Sequence, residues 1–216
     1  VVVIVAGAAG ISSGIGVMKG IIDSAPDISK IDVTPTGYST TVLAANGEET
    51  ATLVGQGANR QYVTIDEIPL DLQHAFVAIE DERFYDHNGI DLHGIGRAFI
   101  SGLSKGRFSE GASTITQQLI KNNVLTSWTS ETSFVEKLQR KIQEQYLALE
   151  LEKQVKDKDW ILENYMNSVN LGANTLGVQA ASKKYFNKDV SELTLSEASV
   201  IAGITQNPSG YNPITH

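Results

Sequence analysis

GASTITQQLIKN, from Gly111 to Asn122, is the stretch on which the reading of the fold turns. Thr114 and Gln117 stand at the spacing of a capping box, in which the cap hydroxyl and the later side chain satisfy each other's orphan amides. The stretch therefore predicts a helix that starts at its middle. Ser113, Gln117, Gln118 and Lys121 then sit at the opening of that helix, where free amides and the helix dipole favour anions. An ordinary capped helix with a surface lysine would also carry the Thr-Gln pair, though it does not account for the whole string.

Upstream, residues 101–111 (SGLSKGRFSEG) are rich in glycine and serine and have no apolar period, so they predict a mobile loop. Before that loop, Leu72, Phe76 and Ile79 recur at helical spacing after Ile68-Pro69. This helix closes on the charged run Glu80-Asp81-Glu82-Arg83-Phe84-Tyr85-Asp86-His87-Asn88-Gly89. Glu80 ends an apolar helix, which puts its carboxylate at the border of core and cleft, a favourable setting for a general base. Acidic residues at a helix end are usually a solvated terminus, and a lone histidine such as His87 is more often structural than catalytic.

Downstream, residues 134–151 predict a long amphipathic helix with Leu138, Ile142, Tyr146 and Leu149 on the buried stripe. Lys137, Arg140, Lys141 and Glu144 fall at i, i+3, i+4 and i+7 on one face, a pattern that simple salt bridging explains in most helices. A further helix runs through Trp160, Ile161, Tyr165 and Met166, and LTLSEASVIAGI predicts the last one before the turn-rich QNPSGYNP. Residues 24–65 change to Thr, Gly, Asp and β-branched types, with Pro26 and Pro35 as breakers. Within them, residues 40–43 and 49–54 flank Ala45-Asn46-Gly47, a strong hairpin signal. Residues 1–18 (VVVIVAGAAGISSGIGVM) carry no charge and approach the roughly 20 residues of a membrane helix. We read them as the outer part of a transmembrane anchor, with Lys19 and Asp23 at the exit to water. A signal-peptide core or a buried helix are the alternatives. The opening Val, in place of Met, is expected to continue a longer gene product.

The formal charge of −8 opposes nucleic-acid binding, which needs a clustered basic excess. The absence of cysteine removes disulfide frameworks and thiolate metal sites. One catalytic core with a short appendage suits 216 residues.

EDERFYDHNGID resembles the first motif of the bacterial peptidoglycan glycosyltransferases, Glu-Asp-x-x-Phe-x-x-His-x-Gly, and GASTITQQLIKN resembles their second. Arg140-Lys141-Ile-Gln-Glu144 with Ala148 and Glu152 is similar to the third motif, and ILENYMNSVNLG to the fourth. AASKKYFNKD and LTLSEASVIAGITQNPSGYNP complete an ordered set from Glu80 to Pro213. The chain thus resembles the glycosyltransferase module of a class A penicillin-binding protein.

That resemblance implies a mainly α, lysozyme-like, two-lobed domain over residues 66–216, after a truncated transmembrane anchor at 1–22 and a hairpin linker at 23–65. It implies polymerisation of lipid II, with inversion at C1 and release of undecaprenyl pyrophosphate. Glu80 becomes the catalytic base and Glu144 the second essential carboxylate. Asp81, Phe84, His87, Ser113, Thr114, Gln117, Gln118, Lys121, Asn122, Arg140 and Lys141 become substrate-binding, although Asp81 equally suits a structural role. A divalent cation, Mg or Mn, at the pyrophosphate is left open by the resemblance, with no protein metal site assigned. The implied partners are lipid II, the growing lipid-linked glycan, the membrane and a C-terminal transpeptidase domain in the full-length protein. The implied location is a single-pass cell-membrane protein with its catalytic domain on the extracellular face. No SxxK-type serine is present, so acylation by β-lactams is not expected of this chain.

One departure matters. Between Lys121-Asn122 and Arg140 the family carries a short segment with an arginine for the donor phosphates, whereas NVLTSWTSETSFVEKLQ is longer and has none. Lys137 would take its place, or the donor site would be weaker. The region of Trp128 also suits a membrane-facing surface. A lysozyme-like hydrolase or lytic transglycosylase, and a non-catalytic wall-binding module, are the competing readings. The cations Lys121, Arg140 and Lys141 oppose the first, and Glu80 together with Glu144 opposes the second.

Overall fold

The computed structural model describes residues 14–30, 32–53, 59–105 and 111–214, with the side chains of 102–105 excepted. Its helices are α1 (14–23), α2 (Leu70–Glu80), α3 (Leu92–Lys105), α4 (Ile115–Asn123), α5 (Phe134–Val155), α6 (Lys158–Ser168), α7 (Val178–Phe186) and α8 (Leu195–Ile204). The strands β1 (Thr40–Leu43) and β2 (Glu49–Leu53) form a two-stranded antiparallel sheet. The chain is therefore mainly α with a small hairpin, as its sequence periods predict.

The helix predicted from GASTITQQLIKN is α4, and it lies at the centre, packed against both α5 and α6. Ile115, Leu119 and Ile120 are fully buried in it, and so are Thr116 and Gln117, because neighbours cover it on several sides. Thr114 caps it by accepting from the Gln117 amide at 3.2 Å. Only half of the expected capping box forms: the Gln117 side chain donates to the Gly89 carbonyl at 3.1 Å instead of returning to its cap. Complete boxes occur at Ser133–Glu136 on α5 and Thr194–Glu197 on α8.

On α2, Leu72 and Phe76 are fully buried, and Phe76 meets Tyr165 of α6 edge-on with centroids 6.1 Å apart. Ile79, expected on the same face, is 40% exposed near the helix end. The stripe expected on α5 is rotated. Leu138 and Leu149 are exposed, whereas Glu144, Leu147, Ala148, Leu151 and Glu152 are buried. The inner face of this helix includes carboxyl side chains with hydrogen-bonding partners, which an apolar count passes over. Residues 101–105, expected in a loop, continue α3, while residues 106–110 of that expected loop lie outside the described residues.

In the hairpin, Thr40 pairs with Leu53 and Val42 with Ala51, with an irregularity between Val42 and Leu43. Gly47 supplies the positive φ of the turn, at 86°. The segment around the hairpin does more than link. Ile28, Val33 and Val63 enter the core, Asn123 donates to the Val33 carbonyl at 3.0 Å, and Asn167 of α6 binds both polar backbone atoms of Val63. Among the described residues no helix is long and apolar enough to cross a membrane. Of the expected anchor at 1–22, residues 1–13 lie outside the described residues.

Candidate active site

Glu80 is the last residue of α2, and its half-buried carboxylate reaches a polar cleft of about 230 Å³. Glu82, Arg83, Arg97, Ser113 and Thr114 also line that cleft. The Gln118 amide donates to Glu80 Oε2 at 2.7 Å and the Gln206 amide to Oε1 at 2.8 Å. Behind Gln118, the Tyr165 hydroxyl donates to its carbonyl oxygen at 3.3 Å. Complete burial, reinforced by the charges of Glu80 and Asp81, holds the Tyr165 hydroxyl far above its ordinary range, so it stays a neutral donor. That bond fixes which end of the Gln118 amide faces Glu80.

Asp81 turns the other way. Its carboxylate accepts from His87 Nε2 at 2.9 Å and from the Ile115 amide at 3.0 Å, the first free amide of α4. Since His87 Nδ1 accepts from the Gly89 amide at 3.2 Å, the proton lies on Nε2. Asp81 and His87 therefore latch the turn after α2 onto the start of α4. Phe84 is fully buried, with the Lys158 ammonium 4.4 Å above its ring. These three motif residues hold the turn and the helices together, with Asp81 also lining the cleft beside Glu80 and Phe84 fully buried.

Gly89 is the tightest joint of this arrangement. Its φ is +87°, and a Cβ there would lie 2.7 Å from the backbone of Ala148 on α5. Its carbonyl accepts from the Thr114 hydroxyl at 2.8 Å and from Gln117. The turn, α4 and α5 meet at this residue.

The cations gather on α4 and α5. Lys141 Nζ donates to Ser113 Oγ at 2.6 Å, to Gln117 Oε1 at 3.0 Å and to Glu144 Oε2 at 2.9 Å. Arg140 Nη1 pairs with Glu144 Oε1, and Arg140 Nε lies 2.9 Å from both oxygens of Glu131. Burial works against the Arg140 charge, yet the hydrogen bonds and field of Glu131 and Glu144 prevail and raise its pKa. Lys121 lies 5.0 Å above the Trp128 ring and, among the described residues, has no ion-pair partner. Burial pushes its ammonium below the ordinary lysine range, while the Glu144 charge pulls the other way. Asn122 is half-buried beside it, and Lys137 is exposed and outside this network.

The structure thus brings Glu80, Ser113, Gln117, Gln118, Arg140, Lys141 and Glu144 into one polar assembly, with Ser113 joining the cleft to the cations. Sequence reasoning missed Gln206, which stands in the turn-rich tail, and Glu131, which stands in the long segment read as a loss. Both Glu144 oxygens are taken by Arg140 and Lys141, and no group of three or more acidic or histidine side chains suited to a metal occurs among the described residues. This donor set does not fit a protein-held divalent cation.

A family model described as transglycosylase matches residues 46–216. The chain belongs to the transglycosylase family. It is a peptidoglycan glycosyltransferase module of the kind carried by class A penicillin-binding proteins, as its motifs implied. It is 44% identical to penicillin-binding protein 1F of Bacillus subtilis (strain 168), over 82% of this chain and 24% of that protein. Penicillin-binding protein 1A of Clostridium botulinum (strain Langeland) is 42% identical over 95% of this chain and 24% of its own length. Penicillin-binding protein 1A of Escherichia coli (strain K12) is 41% identical, over 95% and 23%. The transglycosylase module described here spans about a quarter of the length of these relatives.

Proposed function

We propose that this module polymerises lipid II, transferring the growing lipid-linked glycan onto the 4-hydroxyl of an incoming lipid II and releasing undecaprenyl pyrophosphate with inversion at C1. The observation that carries the proposal is the pairing of Glu80, held by the neutral amides of Gln118 and Gln206 beside a cleft, with a cation cluster formed by Lys121 on α4 and Arg140 and Lys141 on α5. In the step, the O4–H proton passes to the Glu80 carboxylate as the O4–C1 bond forms. The bond from C1 to the pyrophosphate oxygen breaks, and its electron pair leaves with that oxygen. Arg140, Lys141 and Lys121 meet the charge that develops there, with Glu144 fixing the first two. Neutral glycan hydrolysis has no use for those cations, and inert binding has no use for a half-buried base at the edge of a cleft.

The same reading places the domain as a two-lobed, lysozyme-like body at the outer face of the cell membrane, behind a single-pass anchor and ahead of a transpeptidase domain. The names of the relatives and the uncharged opening residues support it. Incubation with lipid II tests the proposal by its product: glycan polymer is expected, whereas cleavage of preformed glycan, or binding without turnover, would overturn it. Glu80→Gln keeps size and polarity but cannot take the proton, so polymerisation should fall at least about 10²-fold with substrate binding kept. Near-normal turnover in that variant would remove Glu80 from the base role.

A further inference from the structure

We propose that Glu131 is a positioning residue that sets the plane of the Arg140 guanidinium toward the departing phosphate. This rests on the leaving-group role given to Arg140 above. The segment after Asn122 lacks the arginine of the family pattern, and the structure shows what stands there. A short 3-10 turn, Thr126–Ser130, packs on α4 and is followed at once by Glu131. The Glu131 side chain is 11% exposed, a costly place for a carboxylate without a partner. Its partner is the Nε edge of Arg140, at 2.9 Å from both oxygens.

Arg140 already has an ion-pair partner without it, because Glu144 pairs with Arg140 as well as with Lys141. What Glu131 adds is a second fixed edge on a rigid fork. With Nε held by Glu131 and Nη1 by Glu144, the planar group cannot swivel, and Nη2 remains as the edge engaged by neither carboxylate. A carboxylate on Nε does not compete for the hydrogen bonds that a phosphate on Nη2 would accept, so the contact orients rather than blocks. The same turn lays the Trp128 ring beneath the Lys121 ammonium at 5.0 Å, holding the second cation from the same side.

The test is a double-mutant cycle of Glu131→Gln and Arg140→Ala in the full-length protein, read by calorimetric binding of inorganic pyrophosphate and by kcat and KM on lipid II. Glu131→Gln is expected to weaken pyrophosphate about five- to tenfold and to lower kcat more than it raises KM, yet to add nothing once Arg140 is alanine. Glu131→Asp should restore part of the loss, and it carries the comparison if the glutamine variant does not fold. Equal losses with and without Arg140 would make Glu131 merely structural, and tighter pyrophosphate binding would make it a competing anion. Unchanged binding in Glu131→Gln, or no pyrophosphate binding by the parent protein, would also overturn the proposal. A parent protein that shows the coupling but makes no polymer would overturn the lipid II reading instead and leave Glu131 in place.

Discussion

Gln206 donates its side-chain amide to Glu80 Oε1 at 2.8 Å, joining residues 126 apart in the chain. The bond ties the tail after α8 to the end of α2, two helices that pack together. With Gln118 on the other oxygen, Glu80 has one neutral donor per oxygen. A base held this way is fixed in direction and, among the described residues, has no ion-pair partner, which is what proton abstraction from a bound hydroxyl needs.

Gln206→Leu should therefore lower kcat roughly tenfold while leaving KM within about twofold, since it removes one orienting bond and no contact to the rest of the site. Steady-state kinetics on lipid II checks this. A variant that raised KM alone would show Gln206 to be a substrate contact.

Arg140→Ala should lower kcat by more than it weakens substrate binding, because charge on the leaving oxygen grows as its bond to C1 breaks. Arg140→Lys should rescue it incompletely, as an ammonium cannot span both Glu131 and Glu144 as a planar fork does. If Arg140→Ala raised only KM, the residue would be a uniform binding contact and its leaving-group role would be wrong.

Gly89→Ala should destabilise the fold by at least about 2 kcal/mol, from a left-handed φ that side chains resist and from backbone in the way. The added Cβ would stand 2.7 Å from Ala148, where main chain and not a flexible side chain blocks it. In a domain of this size that corresponds to a loss of about 4–8 °C in Tm, measurable by calorimetry. An unchanged Tm would mean that the turn and α5 separate at little cost.

Much of this was legible in the sequence. The hairpin, the helix after Thr114 and the helix-end position of Glu80 followed from local spacing and turn chemistry, which act within a few residues. The facing of α5 did not, because Glu144 and Glu152 are buried by partners that come from elsewhere in the chain. Motif resemblance collected Asp81, Phe84 and His87 with the site but did not tell that Asp81 and His87 also latch the turn after α2 onto α4, or that Phe84 is fully buried. Gln206 and Glu131 carry no local signature at all. Each is an ordinary polar residue until folding sets it against Glu80 or Arg140.

The acid response provides the last test. Asp91, just before α3, is held down to about 2, chiefly by the hydrogen bond from Arg83 at 2.6 Å and further by the Gly94 amide. An unfolded aspartate titrates near about 3.9. A carboxylate whose pKa is depressed by folding contributes stability that is complete above the unfolded value and is lost as pH falls through the folded one. The window is therefore about pH 4 down to about pH 2. Asp91→Asn should be less stable than the parent protein above pH 5, and the gap should narrow across that window because the variant has no proton to take up there. Glu197, also lowered to about 2, acts in the same range in both proteins, so the difference between them isolates Asp91. Urea midpoints at pH 6, 4, 3 and 2 read the difference directly, and parallel curves for the two proteins would show that the Arg83 pair does not couple folding to pH.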